Sequence, residues 1–147
     1  MARQLGRRIL LVEDEDTVRA VTTQILTRAG YEIVAVAAAT EAMMKFVPDH
    51  FDLVMTDIGL PDIDGWQLMD AIRQFDTRVP FLVMTGYGSD PASMPAKHRG
   101  VTEVLAKPFS IVELRVTVER ALVRGSRARG AKGPPAPPSP SAKLSVE

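Results

Sequence analysis

Five polar side chains fall where apolar runs stop. Glu13 and Asp14 follow "RILLV" (8–12), Asp57 ends "FDLVMTD" (51–57), Thr85 lies at the end of "VPFLVMTG" (79–86), and Lys107 ends "VTEVLAK" (101–107). Three carboxylates gathered in one pocket repel each other. A hard divalent cation such as Mg²⁺ relieves that repulsion, because it takes oxygen ligands and often shares a phosphate. Aspartate is also a recognised nucleophile that forms acyl phosphates. On such a product the metal neutralises one phosphoryl oxygen, Lys107 pairs with another, and Thr85 bonds the third. Each residue has an ordinary alternative when taken alone. Asp14 or Asp16 can cap a helix, Thr85 can serve as a β-branched strand residue, and Lys107 can be a solvated charge. Their joint arrival at four strand ends is the signal.

Those strand ends belong to an alternating pattern. "RILLV", "YEIVAVA" (31–37), "FDLVMTD", "VPFLVMTG" and "VTEVLAK" read as strands. Between and after them lie segments with apolar residues at helical spacing. Residues 16–30 carry Val18, Val21, Ile25 and Leu26 and stop at Gly30. Residues 40–47 begin at Thr40 as the expected N-cap and end before Pro48. Residues 64–75 turn Trp66, Leu68, Met69 and Ile72 inward, and residues 110–124 form a closing helix capped by Ser110. "YGSDPASMPAKHRG" (87–100) should hold the crossover helix between strands four and five. Pro91 suits a first turn and Pro95 does not, so a short or displaced helix is expected there. Five strand–helix units imply an α/β fold: a doubly wound, five-stranded parallel sheet with helices on both faces and right-handed crossovers. In such a sheet ligands bind at the carboxyl ends of the strands, the rim where the five polar residues fall.

The bulk numbers agree. The 147 residues are 46% apolar, enough for one domain with a core. No cysteine is present, which excludes disulfides and thiolate metal sites. No stretch has the length of a membrane span, and the start lacks a secretory signal, so a cytoplasmic location is expected. Net charge is zero, yet residues 124–147 hold five basic residues against Glu147, a net of +4 that leaves −4 on the preceding 123. Five of the eleven prolines lie in "GPPAPPSPS" (133–141). The expected organisation is a folded domain over 1–124 and a disordered, basic, proline-rich tail over 125–147.

Taken together, "ILLVEDED", "DLVMTDIGLPDIDGWQL", "MTGYG" and "LAKPFSIVEL" resemble the receiver domain of two-component response regulators, in order and spacing, over residues 8–123. The resemblance implies a flavodoxin-like strand order of 2-1-3-4-5. It implies that Asp57 is the phosphoacceptor, that Thr85 is the switch hydroxyl, and that Lys107 pairs with the phosphate. It further implies that Glu13 and Asp14 help bind Mg²⁺ (or Mn²⁺), one directly and one through water. The Gly59 carbonyl is then another ligand beside Asp57. Lys107–Pro108 resembles the family's cis peptide, and Gly86 is small as access to Asp57 requires. Two departures stand out. Val104 occupies the place where the family often has an aromatic residue, and the segment 91–99 is broken by prolines.

The partners so implied are a histidine kinase or histidine phosphotransfer protein, met near Val18, Val21 and Phe109, and a downstream protein target. Tyr87 is expected to slow hydrolysis of the acyl phosphate. The chain offers no room for an effector domain, so it reads as a stand-alone receiver, either a terminal switch or a phosphorelay intermediate. An aspartyl-phosphate phosphatase would need a general acid–base near the nucleophile, and Gly59 stands where such enzymes carry a second Asp. A nucleic-acid role through the basic tail lacks a recognition helix.

Overall fold

The computed structural model describes residues 6–86 and 103–132, with side chains to residue 125. Its elements, in chain order, are β1 (Arg8–Val12), α1 (Asp16–Arg28), β2 (Glu32–Val36), α2 (Ala39–Lys45), β3 (Leu53–Asp57), α3 (Gly65–Arg73), β4 (Phe81–Thr85), β5 (Glu103–Ala106) and α4 (Ile111–Lys132). All strand pairings are parallel, in the order β2-β1-β3-β4-β5. The fold class and strand order are those expected. The expected crossover helix over 87–100, together with Tyr87, Pro91 and Pro95, lies outside the described residues.

Successive strand side chains point to opposite faces, so each strand feeds two cores. Ile9, Leu11, Leu53, Met55, Leu82, Met84 and Leu105 pack with Leu26 of α1 and with Leu114, Val118, Ala121 and Leu122 of α4. Leu10, Val12, Val54 and Phe81 pack on the other side with Ala39 and Ala42 of α2 and Leu68, Met69 and Ile72 of α3. The central strands β1, β3 and β4 are almost wholly buried. A strand fixed on both faces cannot slip in register, because a one-residue slip would send its apolar set to the wrong layer. The polar residues that end these strands are therefore held at a set height on the rim.

Helix starts differ from expectation in two places. Asp16 does not cap α1. Its N-cap is Glu15, which makes no side-chain cap bond, and Asp16 is the first helical residue. Thr40 does not cap α2 either; the N-cap is Ala38. The cap comes instead from Asp62, in the loop after β3. Its carboxylate accepts from the N–H groups of Ala39 (3.1 Å) and Thr40 (2.7 Å). A carboxylate from a distant loop satisfies two free donors at once, which a local threonine hydroxyl cannot. α3 does carry a local capping box, Asp64 with Gln67, and Ser110 and Glu113 form the same exchange at α4.

The C-terminal boundary also moves. α4 continues to Lys132, so the first eight residues assigned to a disordered tail are helical. Gly125 does not stop the helix because it packs on Pro80. A Cβ there would sit 2.6 Å from the proline Cγ. Beyond it, "SRARGAK" extends a helix already nucleated, and each added residue gains a bond without a new nucleation cost. Alanine and arginine favour that extension.

Partial desolvation would raise the pKa of Asp62. The N–H groups of Thr40, Ile63 and Ala39 and the Thr40 hydroxyl outweigh it and bring the value from 3.8 down to about 2. Because the folded-state pKa is depressed, the stabilisation is present above the unfolded value and is lost as pH falls through about 2. Asp62→Ala should lower stability near neutral pH by about 0.5–1 kcal/mol, the lower part of the helix-cap range because solvent screens this site. In urea denaturation the deficit should shrink as pH drops from 4 toward 2. A deficit that stays constant over that window would contradict the assignment.

Candidate functional site

The acidic rim is built from main-chain continuity. β1 ends at Val12, but the Glu13 N–H still donates to the Val36 carbonyl (3.0 Å) and extends the ladder by one residue. The chain then turns into α1. Glu13 is fully buried. One of its carboxylate oxygens accepts from the Glu15 N–H (3.1 Å), the other from Lys107 Nζ (2.6 Å). Lys107 Nζ also donates to Asp57 Oδ2 at 3.0 Å. Carboxylate oxygens of Glu13, Asp14 and Asp57 all lie within 4.8 Å of one another. The three acids and the lysine singled out from sequence are thus in one cluster, although Lys107 is 94 residues from Glu13.

Asp57 sits at the end of β3, where the Ile58 N–H donates to the Met84 carbonyl (3.2 Å). Lys107 is tied to the end of β4, its N–H donating to the Thr85 carbonyl at 2.8 Å. Thr85 is buried, and among the described residues its hydroxyl has no hydrogen-bond partner. A buried hydroxyl without a partner costs about 1–3 kcal/mol. Gly59 and Gly86 are exposed, and a Cβ at either would meet nothing within 4 Å. The Lys107–Pro108 peptide is cis, as the resemblance implied. Val104 lies on β5, paired with Val83 and half-buried.

Burial pushes the Glu13 carboxyl above its ordinary value more than the bonds from Lys107 and Glu15 pull it down. Burial would lower the Lys107 ammonium, but its bonds and charge interactions with Glu13 and Asp57 prevail and hold it above its ordinary value. The lysine therefore remains a cation, lodged among the acids.

An all-oxygen donor set of carboxylates with one exposed member suits Mg²⁺, which keeps several waters and binds one or two carboxylates. Asp14 is exposed and Asp57 half-buried, so these are the two carboxylates that an entering ion could reach. When bound, such an ion would offset the negative charge at the rim and orient the carboxylates that hold it.

Two residues near the site escaped the sequence reading. Gly65, the first residue of α3, comes so close to β3 that a Cβ would lie 2.4 Å from the Asp57 carbonyl oxygen and 3.0 Å from the Ile58 Cα. Its N–H donates to the Ile58 carbonyl at 2.7 Å. The signal was present in "DG" after the acidic strand, but a glycine at a helix start reads as turn chemistry. Arg19 is the other. Its signal was a cation in the first turn of a helix, where the macrodipole disfavours positive charge.

Comparison with known proteins agrees with this geometry. The family model "Response regulator receiver domain" matches residues 9–119, and the chain belongs to that family. Among curated relatives, Regulatory protein AtoC of Escherichia coli is 34% identical over 115 residues, 78% of this chain and 25% of that protein. Sporulation initiation phosphotransferase F of Bacillus subtilis is 27% identical over 118 residues, 80% of this chain and 95% of that protein. The chain thus spans about a quarter of the length of several regulators it matches. Among solved structures, the non-phosphorylated HemR receiver domain of Leptospira biflexa aligns with a TM-score of 0.73 at 30% identity, over 80% of this chain and 94% of that one. The response regulator TrrA of Thermotoga maritima, in complex with Mg²⁺ and BeF, aligns at 0.68 and 28% identity, over 78% and 98%.

Lys107 Nζ bonds Glu13 and Asp57, two of the three acids that could hold an ion, so a divalent cation would compete with it. Lys107→Ala should therefore tighten Mg²⁺ binding several-fold in a calorimetric titration; weaker binding would contradict the competition. Gly65→Ala should lower the urea midpoint by an amount equal to about 1–3 kcal/mol, since backbone and not a flexible side chain must yield. An unchanged midpoint would show that the contact is not needed.

Proposed function

We propose that the domain is a phosphorylation-dependent signalling switch in which Asp57 accepts a phosphoryl group with Mg²⁺ (or Mn²⁺) bound by Asp14 and Asp57, assisted by Glu13 and the Gly59 carbonyl. The donor is a phosphohistidine on a histidine kinase or histidine phosphotransfer protein. An Asp57 oxygen forms the new P–O bond as the donor P–N bond breaks, and the imidazole keeps the electron pair. The supporting observation is the bridge of Lys107 between Glu13 and Asp57 beside Asp14. It places an ammonium where transferred phosphoryl oxygens need charge neutralised. Lys107 then exchanges a carboxylate for a phosphoryl oxygen, and the Thr85 hydroxyl turns to another.

A surface for the donor lies beside the pocket. Val18, Val21 and Thr22 of α1 and Pro108 and Phe109 line a cavity of about 410 Å³ that reaches Lys107. Val21 is 48% exposed, and Phe109 packs in part against the core. An apolar groove next to the acceptor fits a helical partner that presents its histidine edge-on.

The added charge biases the rim between two arrangements, and a downstream protein reads the difference. Val104 offers no aromatic ring to swing inward, so the signal leaves through the β4 and β5 ends. No turnover on a separate substrate is expected, and the protein acts in the cytoplasm. Among the described residues no helix is long and apolar enough to cross a membrane. A second reading, in which Asp57 passes its phosphoryl group on to a histidine protein, is favoured by the 95% coverage of a relative named a phosphotransferase.

Incubation with radiolabelled acetyl phosphate and Mg²⁺ should label the protein in a hydroxylamine-sensitive bond. Asp57→Asn and removal of Mg²⁺ by EDTA should each abolish the label. Full labelling of Asp57→Asn would overturn the assignment. Transfer of the label to a histidine phosphotransfer protein would select the relay over the terminal switch.

A further inference from the structure

Arg19 stands in the first turn of α1, where its charge opposes the helix macrodipole. Its guanidinium folds back over the helix start. Nη1 donates to the Glu13 carbonyl oxygen at 2.9 Å, and Nη2 to Asp16 Oδ1 at 2.7 Å. The Arg19 side chain is 24% exposed, and its Asp16 partner 89%. Isolated surface pairs of this kind contribute little. The bond to the main chain is the distinctive one, because that carbonyl belongs to the peptide joining Glu13 to Asp14.

The two acids are held unequally. Glu13 is pinned by its N–H to Val36 and by both carboxylate oxygens. Asp14 is exposed, and no side-chain bond fixes it among the contacts that build the cluster. The backbone at Glu13–Asp14 therefore sets where the Asp14 Cα–Cβ bond starts, and with it the reach of the carboxylate. We propose that Arg19 is a positioning residue for the divalent cation: by clamping the Glu13 carbonyl against the start of α1, it restrains the backbone at Glu13–Asp14 and so keeps the Asp14 carboxylate within reach of Glu13 and Asp57. This inference rests on the metal-dependent reading of the site given above.

Charge and position make opposite forecasts. Arg19 is a cation beside a cation site, so deleting it should tighten Mg²⁺ binding if only through-space repulsion matters. If Arg19 positions Asp14, deletion should weaken binding. Outer-shell partners of metal ligands are worth about 10-fold or more in affinity.

The test is calorimetric titration of Mg²⁺ alone into the full chain as wild type, Arg19→Ala and Arg19→Lys, with urea midpoints measured in parallel. Arg19→Ala should raise the dissociation constant by about 10-fold, and Arg19→Lys, which keeps the charge but loses the planar fork, should fall between. At saturating Mg²⁺ the rate of labelling by acetyl phosphate should stay close to wild type, because the loss lies in metal affinity. Unchanged or tighter binding in Arg19→Ala would overturn the proposal. Should that variant fold poorly, Arg19→Lys with a normal midpoint decides: weaker binding supports the role, and wild-type affinity rejects it. A wild type that takes up no Mg²⁺ would remove the metal-dependent reading itself, whereas normal wild-type binding with an unaffected Arg19→Ala would remove only this inference.

Discussion

Mutual repulsion among Glu13, Asp14 and Asp57 is the constraint around which the domain is arranged. Their oxygens approach within 4.8 Å. Two unit charges at that distance cost on the order of 3 kcal/mol at an effective dielectric of about 20. A domain has only about 5–15 kcal/mol of net stability, so an uncompensated cluster would use up much of it. Lys107 offsets the cost by bridging Glu13 and Asp57. The compensation is exchangeable. In the proposed function a divalent cation or a phosphoryl group would take over part of it and change what Lys107 bonds. A site whose charge compensation can pass from an internal lysine to an added ion is a natural basis for a switch.

Such crowding needs a stiff frame. The parallel sheet supplies one, since β1, β3 and β4 are buried on both faces and locked in register. The rim is then stitched across strands by the Glu13 N–H to Val36, Ile58 N–H to Met84 and Lys107 N–H to Thr85 bonds. The loop after β3 extends this order outward. It carries the Gly65 contact on the Asp57 carbonyl and the Asp62 cap on α2. The pocket, α2 and α3 therefore share one short loop, which gives a change at Asp57 a physical route to two helices.

Period and punctuation made most of the architecture legible. Buried runs ending in a carboxylate, hydroxyl or ammonium located the strands and the rim together, and the strand–helix alternation settled the sheet. Local reasoning failed where the deciding contact is long-range. Thr40 is a good N-cap by type, but Asp62, 22 residues away, fills that role. Asp16 looked like a cap, yet its carboxylate serves Arg19. The closing helix was expected to end at residue 124, yet the missing side chain of Gly125 lets α4 pack on Pro80 and continue. Gly65 and Arg19 were passed over for a related reason: their partners are main-chain carbonyls, which no side-chain pattern reveals.

The central claim is that Lys107 and a divalent cation share the acids and that a phosphoryl group redistributes them. A crystal structure of the full chain with Mg²⁺ and beryllofluoride tests it most directly. The account predicts an ion at about 2.1 Å from carboxylate oxygens of Asp14 and Asp57, an adduct on Asp57, Lys107 Nζ moved from Glu13 onto a fluoride, and the Thr85 hydroxyl bonded to another. An ion bound elsewhere, or an adduct on Asp57 with Lys107 still seated on Glu13, would contradict it.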